Sequence, residues 1–398
     1  MDASQWKDDP WHAVLRDGRL ETGGRSIDAS RIVFDGSHDY RLYARSASDD
    51  KAPIMALAAA LDYLKWEKKT PSVNVKFIFE GEEEAGSPHL LSLLKKYRDL
   101  LIGDVLFICD GPVDQTGCMV IDYGARGTLG LELTVYGPNH PLHSGHYGNW
   151  APNPIALLTN LLASMRDDDG RILIDKFYDG VRPLSDSDKK AIQELPNIDD
   201  RLRQEYGLAQ TEAGNSRLAE RILIPALNFR GIQSGGVGEK AANAVPPLAR
   251  ASIDFRLVPD QDPENVKRLV EAHIAKMGFH PMRQDPDPKD RAKFARIIQV
   301  QWEEGYPPYR LALDDPWGKR VAEVLAGAFP EPPLRVPALG GSVPMKMFAD
   351  VLRVSVLGLP IANYDNNQHG PNENIRLQNL WDGIAMFAAL LSGLGQAR

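Results

Sequence analysis

A run of acidic residues follows directly on an apolar segment. The segment FEGEEEAGS (79–87) ends the run VNVKFIF (73–79) and carries four carboxylates, those of Glu80, Glu82, Glu83 and Glu84. Most acidic runs in proteins are solvated turns. Carboxylates at the end of a buried strand can instead hold a metal ion, and one of them can move a proton. Which function applies depends on the other acids and imidazoles that the chain brings to the same place.

Three other candidate groups follow predicted strands. Asp49 follows RLYARSAS (41–48), Asp110 follows DVLFIC (104–109), and His369 lies in NNQHGPNE after VLRVSVLG. The functional crevice of a parallel sheet lies beyond the carboxyl ends of its strands, so we expect these residues to converge with Glu83 and Glu84. Unpaired carboxylates would repel one another and could not all stay ionised. A pair of divalent cations resolves this, and the donor set suits zinc, with manganese or cobalt as alternatives.

The elements that must position these groups alternate between strand and helix. Apolar periodicity predicts helices over 52–69 and from Ser87 to 101, between strands at 41–48, 73–79 and 104–109. Such connections indicate a parallel sheet covered on both faces. From 126 to 305 the order becomes β-α-β-β-α-β, which predicts a four-stranded antiparallel sheet with two helices on one face. The predicted segments are 126–137, 153–165, 222–232, 249–259, 263–278 and 294–305.

The α/β pattern returns in the last part of the chain, at 316–329, 351–360 and 379–394. The fold class is therefore α/β, a mostly parallel catalytic domain interrupted by an inserted α+β lid or dimerisation domain. A length of 398 residues also favours two domains. The predicted boundaries are 1–124 for the first part of the catalytic domain, 125–308 for the lid, and 309–398 for the second catalytic part.

Composition excludes several function classes. The net charge of −8 is spread along the chain, which excludes a nucleic-acid surface. No apolar run approaches the roughly 20 residues needed to cross a membrane. The polar, acidic start MDASQWKDDPWH has no secretory h-region. Two cysteines, Cys109 and Cys118, form no disulfide framework, so we expect a cytoplasmic protein.

Six ordered motifs carry a resemblance to a known family. They are SASDDKAP (46–53), EGEEEAGS (80–87), ICDGP (108–112), HSGHYG (143–148), GGSVP (340–344) and NQHGPNE (367–373). In order and spacing they resemble the co-catalytic di-zinc metallopeptidases of peptidase family M20, which include carnosinase-type dipeptidases, glutamate carboxypeptidases and aminoacylases. The similarity is greatest to the dipeptidase branch. It implies a small peptide substrate, two zinc ions per subunit, and a homodimer formed through the lid.

The resemblance also implies a role for each acidic residue. Asp49 would bridge both metals, Glu84 and His369 would complete one metal site, and Asp110 would serve the other. Glu83 would be the general base that deprotonates the bridging water. Asp50 would orient the metal ligands without binding a metal itself. Glu80 and Glu82 are expected to be turn and solvent carboxylates.

Further motif positions match substrate contacts of the family. His143 would stabilise the oxyanion in the active site of the other subunit, and Arg256 would bind a substrate carboxylate, with Asn243 nearby. Gly340, Gly341 and Ser342 would form a loop whose backbone N–H groups receive a carboxylate. Two anchors for a carboxylate favour peptides with a free C-terminus.

One expected metal ligand has no counterpart. The family's first ligand is the histidine of an H-x-D motif, and none of the nine histidines of this chain is followed two residues later by aspartate. We therefore expect the chain to begin downstream of that motif, with one metal site depleted and activity impaired. His38 or His12 could substitute, although their spacing does not require it. The alternatives are an N-acyl amino acid deacylase and a non-catalytic relative acting as a binding or structural dimer.

Overall fold

The computed structural model describes residues 3–33, 35–36, 38–214 and 216–396. The strands in these residues are β1 (Val14–Arg16), β2 (Arg41–Tyr43), β3 (Val105–Ile108), β4 (Val120–Asp122), β5 (Gly124–Ala125), β6 (Gly127–Tyr136), β7 (Leu142–His143), β8 (Ala226–Gln233), β9 (Ala244–Val245), β10 (Leu248–Leu257), β11 (His280–Met282), β12 (Ile297–Glu303), β13 (Tyr309–Arg310), β14 (Leu334–Val336), β15 (Ser355–Gly358) and β16 (Asn374–Arg376).

The helices in the same residues are α1 (Lys51–Trp66), α2 (Leu90–Lys96), α3 (Arg98–Leu101), α4 (Ser144–Tyr147), α5 (Pro154–Met165), α6 (Asp186–Glu194), α7 (Asp199–Glu205), α8 (Leu218–Arg221), α9 (Pro263–Lys276), α10 (Pro288–Lys293), α11 (Pro316–Ala328), α12 (Met345–Leu352) and α13 (Leu377–Gly393). Within the described chain, no helix combines the length and apolar character that crossing a bilayer requires.

The largest sheet contains the predicted antiparallel strands in the order β11-β12-β6-β10-β8. Its central register pairs Leu131 with Ile253 and Leu133 with Ala251. The sheet has five strands and not the predicted four, because β11 adds to the edge parallel to β12. Three residues that include a proline are too short for an alternating pattern, so the sequence carried no sign of this edge strand.

Helices α5 and α9 cover one face of this sheet, as predicted. Leu158 and Leu162 of α5 and Val266 and Val270 of α9 share one buried cluster with the inward residues of β6, β10 and β12. These inward residues alternate along each strand, for example Leu129, Leu131, Leu133 and Val135. The apolar face of each helix therefore stabilises the sheet from one side.

The second sheet is mixed, with the order β14-β4-β15-β3. β14 runs parallel to β4 and β15 runs parallel to β3, whereas β15 meets β4 antiparallel through the single pair Gly358 and Asp122. The chain is thus an α/β protein, but within this sheet the described parallel pairing is confined to two strand pairs. Helices α1 and α13 pack together beside this sheet through Ala56, Ala60 and Phe387.

Two predicted strands of the parallel sheet are corrected by the structure. Residues 41–48 form a strand only over Arg41–Tyr43, and this strand lies in a separate antiparallel sheet between β1 and β16. The chain turns at Ser46, whose φ is 60°, so the following backbone groups leave the ladder. Residues 73–79 form no strand, and Phe79 is 68% exposed. A strand needs a ladder partner, and no described strand pairs with this run.

Residues of the predicted lid also pack against catalytic elements. Ala191 of α6 joins the cluster that contains α1, α11 and α13, and Ile192 packs with Leu223 and Ala338. The sheet of the predicted lid has its own cluster, which spans Leu129 to Val300. The two clusters share no residue, and α6 packs on the one that contains α1 through Ala191 and on a smaller cluster through Ile192.

Replacing Gly318 with alanine should destabilise the protein, because the added Cβ would lie 2.5 Å from a ring carbon of Tyr123. Overpacking of this kind costs about 1–3 kcal/mol. Gly327 is the matched control, since it lies on the same helix and an added Cβ meets nothing within 4 Å. Gly327→Ala should gain up to about 1 kcal/mol from helix propensity. Urea unfolding measures both, and equal gains would contradict the packing of α11 on Tyr123.

Candidate metal centre

The candidate metal ligands come from four separate segments. Asp49 precedes α1, and Glu83 and Glu84 begin a 3₁₀ turn, Glu83–Ala85. Asp110 follows β3 after one residue, and His369 lies in the loop between β15 and β16 with a φ of 61°. Only tertiary folding can bring these segments together, because the first and last are more than 300 residues apart.

The side chains of Asp49, Glu84 and His369 meet. His369 Nε2 lies 3.1 Å from Asp49 Oδ2 and 3.2 Å from Glu84 Oε2. One donor atom from each residue lies within 4.8 Å of the other two. Two carboxylate oxygens and one imidazole nitrogen form a donor set that suits a divalent cation such as zinc.

The charges in this cluster shift the pKa values of its members. The contact with Asp49, with a further contribution from the charge of Glu84, raises the pKa of His369 to about 9 against the opposing effect of burial. Burial and the charge of Asp49 raise the pKa of Glu84. Two neighbouring carboxylates favour the protonated imidazole, and a bound cation would take the place of that proton.

Three further acids lie beside the cluster and destabilise one another's charges. Burial raises the pKa of Asp110 to about 6, with the charge of Asp49 adding to the shift. Burial and the charge of Asp110 raise the pKa of Glu83 to about 7 and that of Asp50 to about 9. Asp50 Oδ1 is buried and has no hydrogen-bond partner within the described chain. Five crowded acids with one unpartnered oxygen fit a site that binds positive charge.

The remaining acids of the segment lie outside the cluster. The carboxylate of Glu82 contacts His89 Nδ1 at 2.8 Å, and Glu80 Oε1 accepts a hydrogen bond from the Glu82 backbone. The hydroxyl of Tyr306, which the sequence did not single out, donates to the backbone oxygen of Glu83 at 3.3 Å and lies 3.1 Å from Ser87 Oγ. Tyr306 thus fixes the turn that carries Glu83.

The two histidines considered as substitute ligands lie elsewhere. His12 Nδ1 contacts Asp9 Oδ2 at 2.7 Å, and its side chain is 83% exposed. The ring of His38 lies 5.0 Å from that of Tyr40, measured between centroids. Neither belongs to the group formed by Asp49, Glu84 and His369.

The candidate substrate-binding residues form two groups in the structure, one with His143 and Asn243 and the other with Arg256 and Ser342. His143 ends β7, which pairs with β9, and the Ser144 backbone N–H donates to the Asn243 carbonyl at 2.9 Å. His143 Nδ1 accepts from the Gly145 N–H at 3.1 Å, and its ring lies 4.6 Å from that of His146. Among the described residues, the side chain of His143 thus contacts Gly145 and His146 of its own loop, and no contact with the acidic cluster is found.

Arg256 belongs to the second group. Arg256 Nη1 donates to Ser342 Oγ at 2.9 Å, and Arg256 Nε donates to Asp254 Oδ2 at 3.0 Å. Strand β10 of the large sheet therefore contacts the loop formed by Gly340, Gly341 and Ser342. An arginine beside a glycine-rich loop is a suitable place for a carboxylate.

A buried carboxylate next to the cluster was missed by the sequence analysis. Glu373 is fully buried and accepts a hydrogen bond from the Asp49 backbone N–H at 3.0 Å. In the sequence Glu373 ends the motif NQHGPNE, directly before the strand Asn374–Arg376, but no role was assigned to it. A glutamate is seldom buried, so such a position is not expected from its residue type.

Comparisons with known proteins place the chain in a family. The sequence profile of "Peptidase family M20/M25/M40" matches residues 28–393. The Cys-Gly metallodipeptidase dug1 of Schizosaccharomyces pombe is 27% identical over 392 residues, covering 96% of this chain and 78% of that protein. The Beta-Ala-His dipeptidase of Homo sapiens is 28% identical over 373 residues, covering 90% of this chain and 69% of that protein.

Solved structures agree with the sequence comparisons. A crystal structure of an M20 family metallo-carboxypeptidase from Sulfolobus solfataricus matches with a TM-score of 0.79 at 28% identity, covering 99% of this chain and 82% of that one. The resemblance carried by the six motifs is thereby confirmed. The chain belongs to peptidase family M20/M25/M40 and is a metallopeptidase.

Proposed function

We propose that the protein hydrolyses the peptide bond of dipeptides or short peptides that have a free C-terminal carboxylate. The observation that carries this proposal is the contact of His369 with both Asp49 and Glu84, beside the adjacent carboxylate of Glu83. The relatives named above act, by their names, on Cys-Gly and Beta-Ala-His. Dipeptides are therefore the first substrates to test.

The metal set that we propose is two zinc ions, with manganese or cobalt as substitutes. Asp49 would contact both ions, Glu84 and His369 would hold one of them, and Asp110 would hold the other. Bound zinc lowers the pKa of a water molecule and polarises the scissile carbonyl. Asp50, buried beside these ligands, would orient them through its carboxylate.

Glu83 would act as the proton carrier. Because Glu83 and Glu84 are adjacent in one turn, the Glu84 carboxylate would bind metal while the Glu83 carboxylate faces the reacting water. Its carboxylate would accept the proton of that water and return the proton to the leaving amino group. Tyr306 supports this role, because its hydroxyl holds the Glu83 backbone in place.

The substrate carboxylate would bind between the two segments joined by Arg256 and Ser342. Arg256 offers guanidinium donors, and Gly340 and Gly341 offer backbone N–H groups without side chains in the way. The 2.9 Å contact between Arg256 Nη1 and Ser342 Oγ supports a single carboxylate site shared by Arg256 and this loop. Such a site favours peptides whose C-terminus is free.

We further propose a homodimer formed by the lid, residues 125–308, with the catalytic domain at 1–124 and 309–398. Each subunit's His143, with Asn243 beside it, would reach the active site of the other subunit and stabilise the oxyanion. The exposed position of the His143 loop and its lack of contact with its own acidic cluster support this arrangement. A cytoplasmic location is proposed on the two free cysteines.

Activity of this 398-residue chain is proposed to be impaired at low zinc. Among the described residues, Asp49 and Asp110 are the ligands left for the second ion, and zinc sites usually have three or four protein ligands. That ion should bind weakly. Excess zinc should therefore be present in every assay.

Zinc titration should show about one tight site per chain, because Asp49, Glu84 and His369 supply three ligands. His369→Ala should abolish this site. Zinc at 100 times its dissociation constant should stabilise the wild type by about 2.7 kcal/mol, and the variant should lose this gain. His12→Ala is the matched control, since this histidine is far from the cluster. Calorimetry and thermal unfolding measure both, and tight zinc in His369→Ala would exclude the assignment.

Glu83→Gln should keep its zinc and lose about 10²–10⁴-fold in kcat, the usual contribution of a positioned acid-base group. Glu82→Gln is the control, because the Glu82 carboxylate contacts His89 and not the cluster. Dipeptide and N-acyl amino acid hydrolysis in excess zinc, with metal analysis, tests both variants. Preference for the N-acyl substrate would favour a deacylase. Metal loss in Glu83→Gln with activity kept in Glu84→Gln would reverse the two roles.

Mixing inactive His143→Ala with inactive Glu83→Gln should restore activity, because a hybrid dimer holds one site with Glu83 and the other subunit's His143. Random exchange leaves about one site in four active. His140→Ala, an exposed histidine near the same loop, should stay active alone. Sedimentation establishes the dimer. Subunit exchange without rescue, or a monomer, would disprove the shared site.

A further inference from the structure

The buried carboxylate of Glu373 is surrounded by hydrogen-bond donors from one distant segment. Glu373 Oε1 accepts from the backbone N–H groups of Ser48 at 3.1 Å and Asp49 at 3.0 Å, and from Ser48 Oγ at 3.1 Å. Glu373 Oε2 accepts from the Ser46 N–H at 3.0 Å and from Arg45 Nη1 at 2.8 Å. All five donors belong to residues 45–49, so one side chain shapes the backbone that carries Asp49.

The backbone of the two segments adds further contacts. The Ala44 N–H donates to the Glu373 carbonyl at 3.2 Å, and Arg45 Nη2 donates to the Gly370 carbonyl at 3.1 Å. Arg45 therefore contacts both ends of the short stretch between His369 and Glu373. The segment with Asp49 and the loop with His369 are joined at several points.

The loop of His369 is itself held at its base by a buried arginine. Arg41 has no exposed surface, and its Nη2 donates to Asp365 Oδ2 at 2.8 Å. Arg41 Nη1 donates to Asn374 Oδ1 at 3.0 Å. Because both ends of the loop are fixed, moving Glu373 relative to residues 45–49 would also move Asp49 relative to His369.

We propose that Glu373 is a positioning residue that sets Asp49 Oδ2 against His369 Nε2 and so pre-forms the cation site. This inference rests on the proposed metal site. Glu373 contacts no ligand side chain and acts through the Asp49 backbone. Residues that orient metal ligands in this way usually contribute about 10–100-fold to metal affinity.

A purely structural role would have a different signature. A buried carboxylate that only stabilises the fold would lower the unfolding temperature when replaced, with no selective effect on zinc. Asp188 provides that comparison. It is buried, its Oδ2 accepts from the Ser185 N–H at 2.9 Å, and it lies 3.7 Å from Arg310, in helix α6 away from the cluster.

The test is Glu373→Gln beside Asp188→Asn in the full chain. Glutamine keeps the shape of the side chain, but its NH₂ group replaces one acceptor oxygen. In either orientation of the amide, this NH₂ group would face donors of residues 45–49 that now bind a carboxylate oxygen. We expect zinc affinity to fall about 10–100-fold in Glu373→Gln and to stay unchanged in Asp188→Asn. In metal-free protein, amide exchange should rise at residues 46–49 in Glu373→Gln and not in Asp188→Asn.

A milder variant covers the case in which Glu373→Gln does not fold. Ser48→Ala removes one hydrogen bond to Glu373 and should weaken zinc binding by about two- to tenfold. Unchanged zinc affinity in the folded variants, or exchange that rises evenly along the chain, would overturn the positioning role. If the wild type binds no zinc, the proposed metal site fails, and selective exchange at 46–49 in metal-free protein still decides the role of Glu373.

Discussion

Repulsion between carboxylates is the constraint on which this site depends. Asp49, Asp50, Glu83, Glu84 and Asp110 lie close enough that burial and their mutual charges raise the pKa of four of them. One imidazole, that of His369, faces this group. Groups whose pKa values are shifted by their neighbours in this way are typical of functional sites.

The scaffold responds by fixing the backbone of each ligand segment from outside the cluster. Glu373 accepts hydrogen bonds from the backbone N–H groups of Ser48 and Asp49. Tyr306 holds the turn that carries Glu83, and Arg41 holds the loop that carries His369. None of these groups needs to touch a metal. They place the ligands at fixed separations, so the ordering entropy is lost on folding and not on binding.

The contact between Arg256 and Ser342 would fix the position of substrate-binding groups in the same way. It connects strand β10 of the large sheet with a glycine loop that follows β14. A carboxylate bound there would be anchored by both segments, which suits a site selective for free peptide C-termini. The chain belongs to the M20 family, and the relatives named above are dipeptidases.

The sequence determined the types of the site residues, their order, several of the longer helices and four strands of the large sheet. Short apolar repeats report local burial, so α1, α5 and α9 were predicted close to their observed bounds. Six motifs also identified the family. These features are local, because each can be recognised within one short segment of the sequence.

Only the tertiary structure decided which groups meet. The run 73–79 has strong strand propensity but no described partner, and residues 41–43 pair with β1 and β16 in an antiparallel sheet. The burial of Glu373 is not visible in the sequence, because one of its hydrogen-bond donors, Ser48, lies 325 positions away in the chain. Strand pairing and the burial of a charge depend on non-local contacts, and a linear pattern does not encode those contacts directly.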